Sequence, residues 1–141
     1  METRERLELK EEFEHSDIFL VENKPIIIIK ASDNYIPIEE FKKLFARATD
    51  LIREHNIQKV IFDKRRLQVF HQPSMEWYYV HWKEALLKEG LKTHRKLLPD
   101  DKVFQKSVEL GKAKIMEKYP GIRLDEMDIQ YFDTLQDAVD K

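Results

Sequence analysis

Asp63, Lys64, Arg65 and Arg66 stand together where an apolar run stops, in the stretch "KVIFDKRRLQVFHQPSMEWYYVHWKEALL" (residues 59–87). One carboxylate followed by three cations is a set able to hold an anion, a phosphoryl group or an acidic loop of a partner. The bland alternative is an Asp63–Arg65 pair with Lys64 and Arg66 in solvent. Such a surface pair contributes roughly 0–1 kcal/mol and needs no function. The segment that follows opens a helix at Pro73 and Ser74, where Ser74 suits an N-cap.

That helix is crowded with aromatics. Met75, Tyr78, Tyr79, Trp82, Ala85 and Leu86 fall on one stripe and account for a core contact, whereas Trp77, Val80 and Leu87 lie off it. Apolar residues outside the core stripe either touch another element or expose a patch. Trp77, Val80 and His81 are therefore the candidate interface, with a second copy of the chain as the commonest partner.

Other chemistry is sparse. The five histidines (His15, His55, His71, His81, His94) show no i, i+4 spacing with a nearby acid, so no metal site is expected, although His71 and His94 could meet at the top of a sheet. Three glycines (Gly90, Gly111, Gly121) cannot build a phosphate-wrapping loop, and the absence of cysteine removes thiolate chemistry. There is no nucleophile elbow and no defensible triad, so no catalytic residues and no cofactor are expected.

The 141 residues suit one domain, 42% hydrophobic and 37% charged, with a net charge of −2 that leaves no broad basic field for nucleic acid. No apolar run approaches the roughly 20 residues of a membrane span, and the start carries no signal-peptide pattern. A cytoplasmic protein is expected.

The elements that must position these residues alternate. Residues 1–16 begin as a frayed strand or a short helix, which the pattern does not separate. "DIFLVEN" and "PIIIIKAS" form a hairpin about "ENKP". A helix follows with Ile38, Phe41, Leu44, Phe45, Ala48, Leu51 and Ile52 on one face, then "KVIFD" as a central strand. "KTHRKLLP" is a strand too polar for the interior and is placed nearer an edge. A helix from Asp101 to Tyr119 carries Phe104, Val108, Gly111 and Ile115. "MDIQYFD" is the last strand, and Thr134 caps a final helix with Leu135, Ala138 and Val139. This order means an α/β layered fold with a mostly parallel sheet behind an N-terminal hairpin.

The order, together with "EEFKKLFARATDLIREHNIQKVIFDKRRL", "EWYYVHWKEALLKEGLKTHRKLLPDD" and "IQYFDTLQDAVDK", resembles the STAS domain family of anti-sigma factor antagonists. The small single-domain STAS-like proteins of the Bacteroidetes are similar in particular. The resemblance spans roughly residues 37 to 141. It implies a regulatory module switched by phosphorylation of a serine after the central strand, in a pattern like D-S-S-G. Here that region reads "HQPS", residues 71–74, so Ser74 is only a weak phosphosite candidate and the usual switch is not expected. A further fold-level analogy, to the CRAL-TRIO lipid-transfer fold, implies an apolar ligand.

Two functions follow as expectations. The first is a non-catalytic STAS-like module acting through protein contact, as a homodimer or with another protein. An exposed Trp77 favours it. The second is a carrier of a small apolar or anionic ligand, which requires a contiguous cavity lined by Phe62, Phe70, Tyr78, Trp82 and Phe104.

Overall fold

The computed structural model describes residues 3–141. Six strands form one sheet in sequential order: β1 (Leu7–Glu12), β2 (Ser16–Val21), β3 (Ile26–Ala31), β4 (Lys59–Asp63), β5 (Thr93–Leu97) and β6 (Asp128–Tyr131). The first three are antiparallel and the last three extend the sheet in parallel from β3. The β2–β3 turn rests on Asn23, held at φ 66°, a left-handed conformation that asparagine tolerates better than most side chains. The segment before it, open between strand and helix in the sequence, is strand β1, with Leu9 opposite Phe19.

Because the chain advances one strand at a time, right-handed crossovers place successive helices on one face. That face carries α1 (Ile38–Glu54), the segment beginning with α2 (Gln72–Trp77), and α4 (Lys102–Lys118). The segment runs from α2 through a π-helical turn (Tyr78–Lys83) into α3 (Glu84–Lys88). The short α5 (Leu135–Asp140) covers the other face. With both faces covered, β3 needs apolar residues at both parities. Ile27 and Ile29 join the larger core, while Ile26 and Ile28 meet Leu135, Ala138 and Val139.

Local signals placed the helices. In α1, Phe41, Leu44, Phe45, Ala48, Leu51 and Ile52 are buried at helical spacing. Asp101 caps α4, accepting from the main-chain N–H groups of Val103 and Phe104 at 2.9 and 3.1 Å. Thr134 caps α5 through the N–H of Asp137 at 3.1 Å. Gly111 lets α4 press on the start of α2: a Cβ there would stand 2.4 Å from Gln72 Oε1 and 2.8 Å from Phe70 Cζ.

Three sequence expectations are corrected. Ser74 is not an N-cap; it lies inside α2, and its N–H donates to Nδ1 of His71, which is the cap. The second helix is not one regular α-helix, and its turn Tyr78–Lys83 widens to π geometry. β5 is the second strand from the end of the sheet, yet His94, Arg95 and Lys96 are all buried there. Among the described residues no helix is long and apolar enough to cross a membrane.

An apolar cavity over Lys64 as the candidate functional site

The chain leaves β4 at a corner built on Asp63. Its buried carboxylate accepts from Arg65 at the main-chain N (3.1 Å), Nε (2.9 Å) and Nη2 (2.7 Å). Arg66 stands in solvent, above a shallow groove shared with Asp33, Asp100 and Asp101. So far this is the bland corner. Lys64 departs from it: the side chain is 7% exposed rather than solvated, while its N–H extends the sheet to the carbonyl of Leu97 at 2.8 Å.

Lys64 lines a cavity of about 60 Å³ at the carboxyl ends of β3 and β4, where open α/β sheets bind ligands. Phe62, Phe70, Tyr78 and Phe104 are part of its wall, as the carrier reading requires, but Trp82 is not. Tyr35, Val69 and His71 also line it and are exposed, which puts its mouth at the surface. His71 and Ser74 meet there, Nδ1 to Oγ at 2.8 Å. Ser74 itself is buried.

No described residue accepts a hydrogen bond from Lys64 Nζ; it sits 5.0 Å from the centroid of the Phe62 ring. Burial, reinforced by the charge of Lys112, pulls its pKa down to about 8. Volume and lining fit a small molecule: a cavity of this size takes roughly four to six water-sized atoms.

Tyr78 separates this cavity from a second cluster of amines. Lys83 and Lys96 are fully buried, and each nitrogen stands over the Tyr79 ring at 4.5 Å. Both also face Tyr78, at 5.0 and 4.9 Å. Lys96 Nζ donates to the Tyr79 hydroxyl at 2.6 Å. Among the described residues no oxygen acceptor reaches Lys83 Nζ, and the hydroxyl of Tyr78 and both ring nitrogens of His94 are also unpartnered. Burial drives both lysines well below the usual ammonium range. The neighbouring lysine charges add to it, Lys64 for Lys83 and Lys83 first for Lys96. His94 falls as well, through burial and then Lys83.

Sequence reasoning missed this cluster. On a regular helix Lys83 lies off the core stripe, but a π turn brings residues five apart onto one side, so Lys83 joins Tyr78. The available signal was the parity of β5. His94 and Lys96 alternate with Arg95, and Arg95 reaches the opposite face, to Asp128 Oδ2 at 2.9 Å and the main-chain oxygen of Lys141 at 2.8 Å.

The candidate interface is divided. Trp77 is partly buried and meets α1, edge-on to Phe41 at 6.0 Å and near Phe45 at 6.4 Å. Val80 points the other way, toward a groove with Tyr119 and Ile122 beyond α4. His81 is exposed and shares the Trp77 side. Ala85, placed on the core stripe, is exposed. Among the described residues no group of three or more histidine, aspartate or glutamate side chains could hold a metal ion. His71 is exposed at the cavity mouth, and His94 is buried beside Trp82 at 6.4 Å.

Comparison with family models, with curated proteins and with solved structures found no match.

Proposed function

We propose that this chain is a binding module for small apolar molecules that end in an oxygen acceptor, a carboxylate or a carbonyl, taken into the cavity over Lys64. One observation carries this reading. Lys64 is 7% exposed, and among the described residues its Nζ has no hydrogen-bond acceptor, in the wall of a cavity otherwise dominated by aromatic and aliphatic side chains. A ligand oxygen beside Nζ gives it a charge-assisted acceptor in an apolar surrounding, while the chain of the ligand covers Phe62 and Phe104. Arg65 takes no part, because Asp63 holds it.

Calorimetric titration with hexanoate and hexanol tests this. Binding of both is expected, with hexanoate weakened about tenfold or more in Lys64→Met, the loss of one charge-assisted hydrogen bond. Absence of binding by either compound removes the proposal.

The STAS-like regulatory reading draws support from a different place. Trp77 keeps part of its surface free beside His81, in a groove with Lys42 and Ala46 of α1. In that reading a cytoplasmic homodimer or protein partner covers Trp77. Sedimentation of wild type and Trp77→Ala decides it: a dimer dissolved by the substitution supports it, and an unchanged species of either size removes Trp77 from any self-contact.

A further inference from the structure

We propose that Lys64 captures its ligand covalently, as an imine with a small apolar aldehyde or ketone. This rests on the binding reading above and narrows it to carbonyl compounds. The geometry has the parts such a step needs. The Lys64 side chain is largely buried, its nitrogen donates to no acceptor among the described residues that would hold it as an ammonium, and it shares a cavity with an aromatic lining and a mouth at Tyr35, Val69 and His71.

The surroundings are one-signed. Lys112 from α4 depresses Lys64, and the charge of Lys64 in turn weighs on Lys83 and Lys96 across Tyr78. His71, from the loop before α2, is the other titratable side chain at the cavity apart from tyrosines. A lysine desolvated beside other cations is the environment that turns an ammonium into a nucleophile near neutral pH. With a pKa of about 8, Lys64 holds roughly two to three hundredfold more free amine at pH 7 than an ordinary lysine.

The step balances without an added oxidant or reductant. The nitrogen lone pair attacks the carbonyl carbon, the C=O π pair moves to oxygen, and one N–H proton passes from nitrogen to that oxygen to give a carbinolamine. The hydroxyl takes a proton from solvent and leaves as water while the nitrogen lone pair forms the C=N bond, and the remaining N–H proton returns to solvent. The net change is one amine and one carbonyl to one imine and one water. Apolar walls favour the product, because water released at the mouth is poorly retained beside Phe62 and Phe104.

The experiment is reductive trapping. Intact protein is incubated with limiting hexanal and cyanoborohydride, and the hexylated lysine is located by peptide mass spectrometry. Lys64 is expected to label about tenfold faster than exposed lysines such as Lys106, part of the amine excess being offset by its lower basicity. Its labelling should rise to half its limit near pH 8, be blocked by hexanoate, and vanish in Lys64→Arg. Labelling spread over exposed lysines with Lys64 unmodified overturns the imine. If hexanoate and hexanol still bind in that case, the binding reading survives. If they do not, both fall together.

Discussion

Lys96 and Tyr79 meet at 2.6 Å, side-chain nitrogen to phenol oxygen, in an interior where Lys83 stands over the same ring. Among the described residues no carboxylate pairs with either lysine, so the fold accommodates these amines by lowering their proton affinity. The aromatic faces of Tyr78 and Tyr79 supply what electrostatic relief there is.

A pH dependence follows. The unfolded chain keeps its lysines protonated up to about pH 10.4, whereas the fold releases protons from Lys83, Lys96 and, above about 8, Lys64. Over that interval the unfolded state binds more protons, so stability rises with pH. Tyr78 and Tyr79, pushed up by burial, reverse the trend above about pH 10, where the unfolded phenols ionise first. Urea midpoints should therefore climb between about pH 7 and pH 10 and then fall. A flat profile from 7 to 10 would contradict the buried amines.

Lys83→Met should raise stability at pH 7, by about 1–4 kcal/mol, the range seen when buried charge gives way to apolar side chains. It should also shallow the pH slope. The same change at Lys96 is expected to gain less, since it strands the Tyr79 hydroxyl. Chemical unfolding of both variants at two pH values checks the order.

Gly111→Ala should destabilise the fold by about 1–3 kcal/mol, because the new methyl meets Gln72, Phe70 and Met75 where α4 crosses the start of α2. Phe70 and Met75 also line the cavity, so the substitution should weaken hexanoate as well as lower the melting temperature. A variant with wild-type stability and binding would show that α4 does not press on this wall.

Trp82→Phe removes an indole N–H that donates to Thr49 Oγ1 at 2.8 Å and the Phe45 carbonyl at 3.1 Å. It also removes part of a ring stacked on Tyr78 at 13°. A loss of about 2–4 kcal/mol is expected from the cavity and the broken bonds. Hexanoate affinity should be unchanged in the folded variant, because Trp82 does not line the cavity.

Asp63→Ala should cost about 2–3 kcal/mol by removing a buried carboxylate that accepts from the Arg65 guanidinium at the end of β4. Denaturant unfolding measures it. Restoring stability with the double variant Asp63→Ala, Arg65→Met would identify the loss as that of the pair.

Much of the architecture was legible along the chain because its signals are local. The 3.6-residue spacing of α1, the caps at Asp101 and Thr134, the turn at Asn23 and the apolar run "IIII" each act within a few residues. They determine elements and, through right-handed crossovers, an α/β sheet with its crossover helices on one face. The cap at His71 escaped notice because Ser74 offers the commoner side chain at a neighbouring position.

The site itself was decided by tertiary contact. "DKRR" reads as four surface charges, and only the packing of Phe70, Tyr78 and Phe104 around Lys64 separates it from Arg66. Trp77 and Val80 break the stripe of their helix, yet α1 receives one and the far end of α4 the other. Whether a lysine is buried depends on what folds over it, and for Lys83 and Lys96 that comes from a widened helical turn and a strand at separate positions in the chain. The sequence by itself determined which segments after residue 16 are helix and strand, though not the π turn within the second helix. The desolvation that makes amines of Lys64, Lys83 and Lys96 exists only once distant side chains exclude water from them.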